Sequence, residues 1–251
     1  MYKRQSRDRA RRRTLNLAWA YKRSGSNEKA EKAFADVVTA DPEGAYAAEA
    51  LYERGRSLDE SGKVEESRKV WQELIDRKAG SPFTEKALLA RSQSLAKSAK
   101  FADAAKGFES YVQKFPKSAA LREAWLGLAE SHLNAANSPG AKDAFTQVLG
   151  DKGHDADLDE LSERALLGLA EIALKQGESL PAKKMALRIL TERAISPWRD
   201  AAFFTAGQSS EQLAEPQKAI GYYRKLLAEH PKSTHMDAAT ARLKALGAPV
   251  Q

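Results

Sequence analysis

The sequence of 251 residues has no cysteine. This absence excludes a disulfide framework, a thiolate metal site and a cysteine nucleophile, and it fits the cytosol and the periplasm equally well. No run of about 18 apolar residues occurs, so no membrane-spanning helix is predicted. Glycine (15 residues) and proline (9 residues) are scarce for a disordered chain, and 42% of the residues are hydrophobic, so we expect a folded protein.

The sequence also has little that could carry catalysis. Its four histidines are scattered and form no His-x3-His pair for zinc. It contains no G-x-S-x-G nucleophile motif, no phosphate-binding glycine loop and no dinucleotide-binding glycine pattern. The many carboxylates are expected on solvated helix faces. We therefore predict that the protein is not an enzyme, holds no metal or cofactor and acts on no small-molecule substrate.

The formal net charge of +7 is unevenly distributed. Residues 1–23 contain nine lysines and arginines against Asp8 alone, a net charge of +8, so the other 228 residues carry a net charge of −1. A nearly neutral body lacks the broad basic face that phosphate binding requires, so nucleic acid binding is the least favoured function. The basic stretch 7–13 is either the solvated start of a first helix or an arm for phosphates and anionic lipids.

Residues 124–149 contain two amphipathic stripes with a break at 137–140, which predicts a helical hairpin. The same pattern recurs along the chain. The first helix of each copy contains a small residue, at a position where only a small side chain lets the two helices approach closely. The second helix contains another small residue. An aromatic residue follows that second small residue in five of the six copies. The first set is Ala18, Gly55, Ser92, Ala129, Ala170 and Gly207; the second is Ala30, Ser67, Ala104, Ala141, Ala182 and Ala219; the third is Phe34, Trp71, Phe108, Phe145, Ala186 and Tyr223.

The copies follow one another at intervals of 37, 37, 37, 41 and 37 residues. A fixed period of this size is typical of a solenoid, in which each hairpin buries its apolar face against its neighbours. The residues resemble the tetratricopeptide repeat pattern W-x2-L-G-x2-Y, A-x3-F, P. The match comprises Leu17, Ala18, Tyr21, Ala30, Phe34 and Pro42 in the first copy and Trp125, Leu128, Ala129, Ala141 and Phe145 in the fourth.

This resemblance implies an all-α, right-handed α-solenoid of about six hairpins with a C-terminal capping helix, forming one domain over residues 11–247. The fifth copy departs most from the pattern, because Ala186 occupies its aromatic position. The expected repeats are 11–44, 48–81, 85–118, 122–157, 163–196 and 200–233, and the expected cap is 234–247.

Two features bear on the origin of the protein. Residues 1–5 resemble a translated sequencing adapter, so we expect residues 1–10 to comprise an artefact and a basic arm, with the native start further upstream. The Pro-Lys-Ser junctions within 115–118 and 230–233 resemble those of bacterial envelope repeat proteins such as the Tol-Pal system coordinator and the outer-membrane assembly lipoprotein. This resemblance favours the periplasm or cell envelope, with the cytoplasm as the alternative.

The interval of 41 residues places an insertion at 150–159, where Asp155, Asp157 and Asp159 alternate as in a calcium loop. However, Glu160 stands where the turn needs a glycine, and Leu166 stands where the bidentate acid belongs. We therefore expect no calcium site. The acidic residues instead suit the positive N-terminus of the next helix.

The expected binding surface is the groove that the first helices of tetratricopeptide hairpins line. One position in each first helix is apolar in all six copies, and the position four residues later is mostly polar. An apolar ribbon with polar margins suits a peptide segment, although the same residues could pack against neighbouring helices and bind nothing. The apolar set is Leu15, Tyr52, Leu89, Leu126, Leu167 and Phe204, and the flanking set is Trp19, Arg56, Gln93, Glu130, Glu171 and Gln208.

The sequence thus favours a non-enzymatic scaffold that binds a protein or peptide in its groove, in bacterial envelope assembly or maintenance. The alternative is a structural or self-associating module of a larger protein, in which the end near residues 7–13 docks on further repeats or on another copy.

Overall fold

The structure, a computed structural model, describes residues 2–77, 80–155 and 157–249, without the side chains of residues 2–8, 152, 154 and 155. Within these ranges the chain forms thirteen α-helices and one 3₁₀ segment, and no β-strand. Consecutive helices pair into six hairpins, and the thirteenth helix packs on the twelfth. The predicted all-α fold of six hairpins with a C-terminal helix is confirmed. The helices are α1 (Tyr2–Arg23), α2 (Asn27–Ala40), α3 (Ala47–Glu60), α4 (Val64–Asp76), α5 (Pro82–Lys97), α6 (Phe101–Lys114), α7 (Leu121–Asn134), α8 (Ser138–Leu149), α9 (Glu160–Lys175), α10 (Ser179–Glu192), α11 (Arg199–Gln212), α12 (Pro216–Glu229) and α13 (Met236–Ala245), with the 3₁₀ segment at Gly150–Asp155.

The chain divides into two compact units. The N-terminal unit ends at Ser118 and contains α1 to α6, and the C-terminal unit begins at Ala119 and contains α7 to α13. Within each unit the first helices of successive hairpins contact one another: α3 touches α5, and α9 touches both α7 and α11. These contacts give each unit a surface built from first helices. The grouping of residues 11–247 into a single domain stays a prediction.

The six hairpins share one turn conformation. The second residue after the first helix has a positive φ, and this position recurs with the same spacing as the repeats. Glycine adopts such a φ without steric cost, but only three of the six residues are glycine. The residues and their φ angles are Gly25 (73°), Gly62 (77°), Ala99 (55°), Ala136 (59°), Gly177 (78°) and Ala214 (57°).

In the second and sixth hairpins, the small residue of the first helix meets the aromatic residue of the second helix in the core. A Cβ atom added to Gly55 would lie 2.3 Å from Nε1 of Trp71, and one added to Gly207 would lie 2.4 Å from Cε1 of Tyr223. Both distances are too short for any side chain, so these helices approach closely only because glycine is present. In the fifth hairpin Ala186 occupies the aromatic position and is also fully buried.

Helix α13 covers the last hairpin, as the predicted cap requires. Its Ala239 and Leu243 are completely buried and join a cluster with Tyr223 and Leu226. Arg242 on the same helix forms an ion pair with Glu211. The final hairpin therefore does not expose this apolar face to water.

The insertion between the fourth and fifth hairpins forms the 3₁₀ segment and an extended stretch before α9. Asp159 caps the N-terminus of α9, and its carboxylate accepts a hydrogen bond from the backbone N–H of Ser162 at 2.9 Å. Arg122 donates to both oxygens of Asp159, at 2.6 and 3.0 Å, and to the carbonyl of Val148 at 3.0 Å. The side chain of Asp155, which was considered for calcium, lies outside the described residues, as do Met1 and the side chains of 2–5 from the adapter-like stretch.

Candidate functional site

The C-terminal unit contains a cleft of about 680 Å³ between the first helices α7, α9 and α11. Five residues of the predicted groove line this cleft together. The cleft lies on the surface where α9 contacts α7 and α11. The five predicted residues are Glu130, Leu167, Glu171, Phe204 and Gln208.

The floor of the cleft is apolar. Leu167 and Phe204 are half-buried in it, beside Trp198 and the edge of Phe145. The Phe145 ring reaches this position because residue 168 is glycine: a Cβ there would lie 2.2 Å from Cζ of Phe145. The ring of His235 stacks on Phe204 with a centroid distance of 4.9 Å and an interplanar angle of 15°. The cleft therefore offers an aromatic and aliphatic surface to an incoming side chain.

The charged residues of the cleft pair with one another. Arg164 donates to Oε1 of Glu130 through Nε at 3.1 Å and through a terminal nitrogen at 2.5 Å. Its guanidinium also lies 5.6 Å from the centroid of the Trp198 ring. Lys175 bonds Glu171 at 2.7 Å, one helical turn away. Each acid in the cleft wall thus has a basic partner.

Two uncharged polar groups of the cleft have no partner in the part of the chain that the structure describes. The indole Nε1 of Trp198 is buried and meets no acceptor there. The amide of Gln208 makes no side-chain hydrogen bond among the described residues. A buried donor without an acceptor costs about 1–3 kcal/mol of folding free energy, so the unpaired indole N–H of Trp198 is unusual.

The N-terminal unit has a smaller cleft of about 180 Å³ that includes Tyr52, Arg56 and Gln93 from the predicted groove. Trp71 forms its back wall and donates to the carbonyl of Tyr52 at 3.2 Å. Burial raises the pKa of the Tyr52 phenol above its ordinary value. Arg56 pairs with Glu60 at 3.0 Å, and this cleft is also lined by Lys97.

The remaining predicted groove residues lie elsewhere. Leu15 and Leu126 are only 6% and 2% exposed, so neither offers its side chain to a partner. Leu89 is half-buried. The ring of Trp19 packs edge-on against Phe34, and its indole N–H donates to Glu49 at 2.9 Å. Trp125, expected in the repeat core, is half-buried.

Buried charges between and within hairpins were not predicted from the sequence. Lys22 on α1 pairs with the buried Glu53 on α3 at 2.7 Å. Glu163 is completely buried and accepts from Arg193 at 2.5 Å and from Ser196 at 2.6 Å. One sequence signal could have revealed the buried Glu163, namely a serine that follows the acid by 33 residues. The same spacing joins Ser118 to Glu85 and Ser233 to Asp200.

Across the described ranges, no group of three or more histidine, aspartate or glutamate side chains is placed to hold a metal ion. None of the helices that the structure describes has the length and apolar character needed to cross a bilayer.

Comparison with known proteins gives one sequence family. Profiles described as tetratricopeptide repeat match residues 15–82, 52–119 and 201–233, together more than half of the chain. No curated protein sequence matches.

Solved structures match over most of the chain at low sequence identity. PilF of Pseudomonas aeruginosa has a TM-score of 0.64 at 15% identity, covering 94% of this chain and 99% of its own. PilW, a type IV pilus biogenesis factor, has a TM-score of 0.64 at 14% identity, covering 92% and 98%. YrrB, a repeat protein with an unusual peptide-binding site, has a TM-score of 0.63 at 14% identity, covering 84% and 98%. These likenesses show a shared α-solenoid fold.

Proposed function

Because the chain belongs to the tetratricopeptide repeat family, we propose that it is a non-enzymatic scaffold that binds a peptide segment of a partner protein in the cleft of its C-terminal unit. One observation carries this proposal: Leu167, Phe204 and Gln208 come from two different helices, yet they line one concave surface of about 680 Å³. An apolar floor with a few polar groups around it is the usual form of a peptide-binding groove.

The comparisons support this proposal in general terms. YrrB has a peptide-binding site on the same fold, and PilW acts in pilus biogenesis. We propose further that the protein works in the bacterial cell envelope, which fits the likeness to PilW and the Pro-Lys-Ser junctions of the sequence.

The proposal is tested with the full chain as bait against envelope and cytoplasmic fractions of the source organism. The test variant combines Leu167→Ser with Phe204→Ser, because both side chains line the cleft and are only half-buried. The matched control is Leu180→Ser, which changes a leucine that is 53% exposed on α10. Circular dichroism melting verifies that all three proteins are folded.

We expect the wild type and the control to retain the same partner and the double variant to lose it. Co-purification from the envelope fraction would support the envelope role, and co-purification from the cytoplasmic fraction alone would reject it. If the folded double variant retains every partner of the wild type, the cleft is not the binding site and the proposed function is wrong.

Self-association is the second candidate, and the exposed face of α1 favours it. Leu17 is 48% exposed there, between the exposed residues Arg13 and Ala20. An apolar side chain on an uncovered helix face could pack against another copy. Light scattering over a wide concentration range should show a dimer that Leu17→Lys abolishes. A monomer throughout that range would reject this candidate.

A further inference from the structure

We propose that the cleft of the C-terminal unit selects an uncharged peptide segment that inserts an apolar side chain and is held through its backbone amides. This inference rests on the proposed function and adds the chemistry of the occupant. It depends on the charge balance of the cleft walls and on the kind of polar groups that remain without partners.

Four charged residues of the cleft form two ion pairs, and His235, which also lines the cleft, stacks on Phe204. Glu130 accepts two hydrogen bonds from Arg164, and Glu171 accepts one from Lys175. A charged ligand group would have to break one of these pairs or enter the cleft without a counter-ion. Either step costs free energy, because an unpaired charge loses its hydration on entering a partly buried site. The walls therefore disfavour both acidic and basic segments.

Apart from these pairs and His235, the polar side chains that line the cleft are neutral. Gln208 and Thr205 are half-buried in the cleft, and each side chain carries both a donor and an acceptor, whereas the indole nitrogen of Trp198 is fully buried and closed to a ligand. Amide and hydroxyl groups match the N–H and C=O groups of a peptide backbone and add no net charge. The apolar floor at Leu167 and Phe204 belongs to the same cleft and accepts a side chain. Together they define an occupant that is apolar in its side chain and neutral in its polar contacts.

The smaller cleft of the N-terminal unit differs in how its charges pair. Among the described residues, its Lys97 and Asp59 form no ion pair, while Arg56 shares Glu53 and Glu60. Pairing of each acid with a lysine or arginine is thus a property of the larger cleft and is not shared by the smaller one. This difference provides an internal comparison for any ligand that binds.

The test is a selection from a random library of short linear peptides displayed on phage, with the full chain as bait. Three baits are compared: wild type, Glu130→Gln and Arg164→Gln. The first variant leaves Arg164 without its acid, and the second leaves Glu130 without its base. Circular dichroism melting establishes that each bait is folded, and the Leu167→Ser and Phe204→Ser double variant removes peptides that bind elsewhere.

We expect the wild type to enrich peptides that are apolar and uncharged. Glu130→Gln should shift the enriched set toward acidic residues, and Arg164→Gln should shift it toward basic residues. Replacing the main apolar residue of a selected peptide by aspartate or lysine should weaken its binding to the wild type by about tenfold or more, measured by fluorescence anisotropy.

The two levels of the proposal fail in different ways. Enrichment of charged peptides by the wild type, lost in the double variant, would overturn the inference about charge and leave the proposed peptide binding intact. The absence of any enrichment that depends on Leu167 and Phe204 would overturn both.

Discussion

The hydroxyl of Ser196 donates a hydrogen bond of 2.6 Å to the carboxylate of Glu163, which is completely buried at the start of the same hairpin. The same bond joins Ser118 to Glu85 at 2.5 Å and Ser233 to Asp200 at 2.6 Å. In each case the serine follows the second helix and the acid lies near the start of the first. This bond therefore ties the end of a hairpin back to its beginning.

We predict that Ser196→Ala destabilises the protein by about 2 kcal/mol, because a hydrogen bond to a buried charged group is worth about 1.5–3 kcal/mol. Arg193 still pairs with Glu163 in this variant. The measurement is urea-induced unfolding followed by circular dichroism. A double-mutant cycle with Glu163→Gln isolates the bond, and a coupling energy near zero would show that the serine contributes nothing through it.

We predict that Ala136→Gly stabilises the protein by about 1 kcal/mol. Ala136 has a φ of 59°, where an alanine is strained and a glycine is not. The matched control is Ala135→Gly at the preceding residue, whose φ of −83° suits alanine. The control should lose stability in thermal unfolding, because glycine adds freedom to the unfolded chain without relieving strain. Equal effects of the two changes would contradict the assigned turn.

We predict that Gly207→Ala destabilises the last hairpin by about 1–3 kcal/mol, because the added Cβ would lie 2.4 Å from the Tyr223 ring. Gly221→Ala on α12 serves as its control, since nothing lies within 4 Å of a Cβ there. This control should gain about 0.5–1 kcal/mol from the better helix propensity of alanine. Thermal unfolding of the two variants should therefore shift in opposite directions.

We predict that the contribution of Asp159 to stability disappears in acid. The hydrogen bond from Arg122 is the main reason that the pKa of Asp159 lies well below its ordinary value; burial opposes this effect, and Ser162 adds to it. A carboxylate whose folded pKa is depressed stabilises the fold above its unfolded pKa of about 3.9, and this stabilisation is lost as the pH falls toward the folded pKa.

The measurement is the difference in unfolding free energy between the wild type and Arg122→Gln. This difference should be larger at neutral pH than at about pH 3, where most of the Asp159 carboxyl is protonated in the unfolded chain. The bond from Arg122 to the carbonyl of Val148 leaves a part that does not depend on pH. Lys106→Gln, which removes an exposed pair with Asp103, is the control. A difference that is constant with pH would contradict the prediction.

The sequence predicted the hairpins because their apolar and small residues recur at a fixed interval. It did not predict the positive φ at Ala99, Ala136 and Ala214, because local preferences assign a positive φ to glycine. It also missed the buried Glu53 and Glu163, since charged residues are normally exposed and their partners are distant in sequence.

The groove was predicted less completely than the fold. Repeat spacing gives the face of the helix on which Leu126 and Leu167 lie, but Leu126 is buried whereas Leu167 lines the cleft. Exposure at that position depends on how closely neighbouring helices approach. That distance is set by tertiary packing, as at Gly168 against Phe145, and a single sequence does not encode it in its spacing.

The close approach of Phe145 to Gly168 also offers a way to engineer the protein. The depth of the cleft depends on the ring of Phe145 and on the absence of a side chain at Gly168, and neither residue carries a charge. A smaller side chain at position 145 would deepen the floor, while Glu130, Arg164, Glu171 and Lys175 would keep their pairs. The size of the side chain that the cleft accepts could thus be redesigned independently of its preference for neutral ligands.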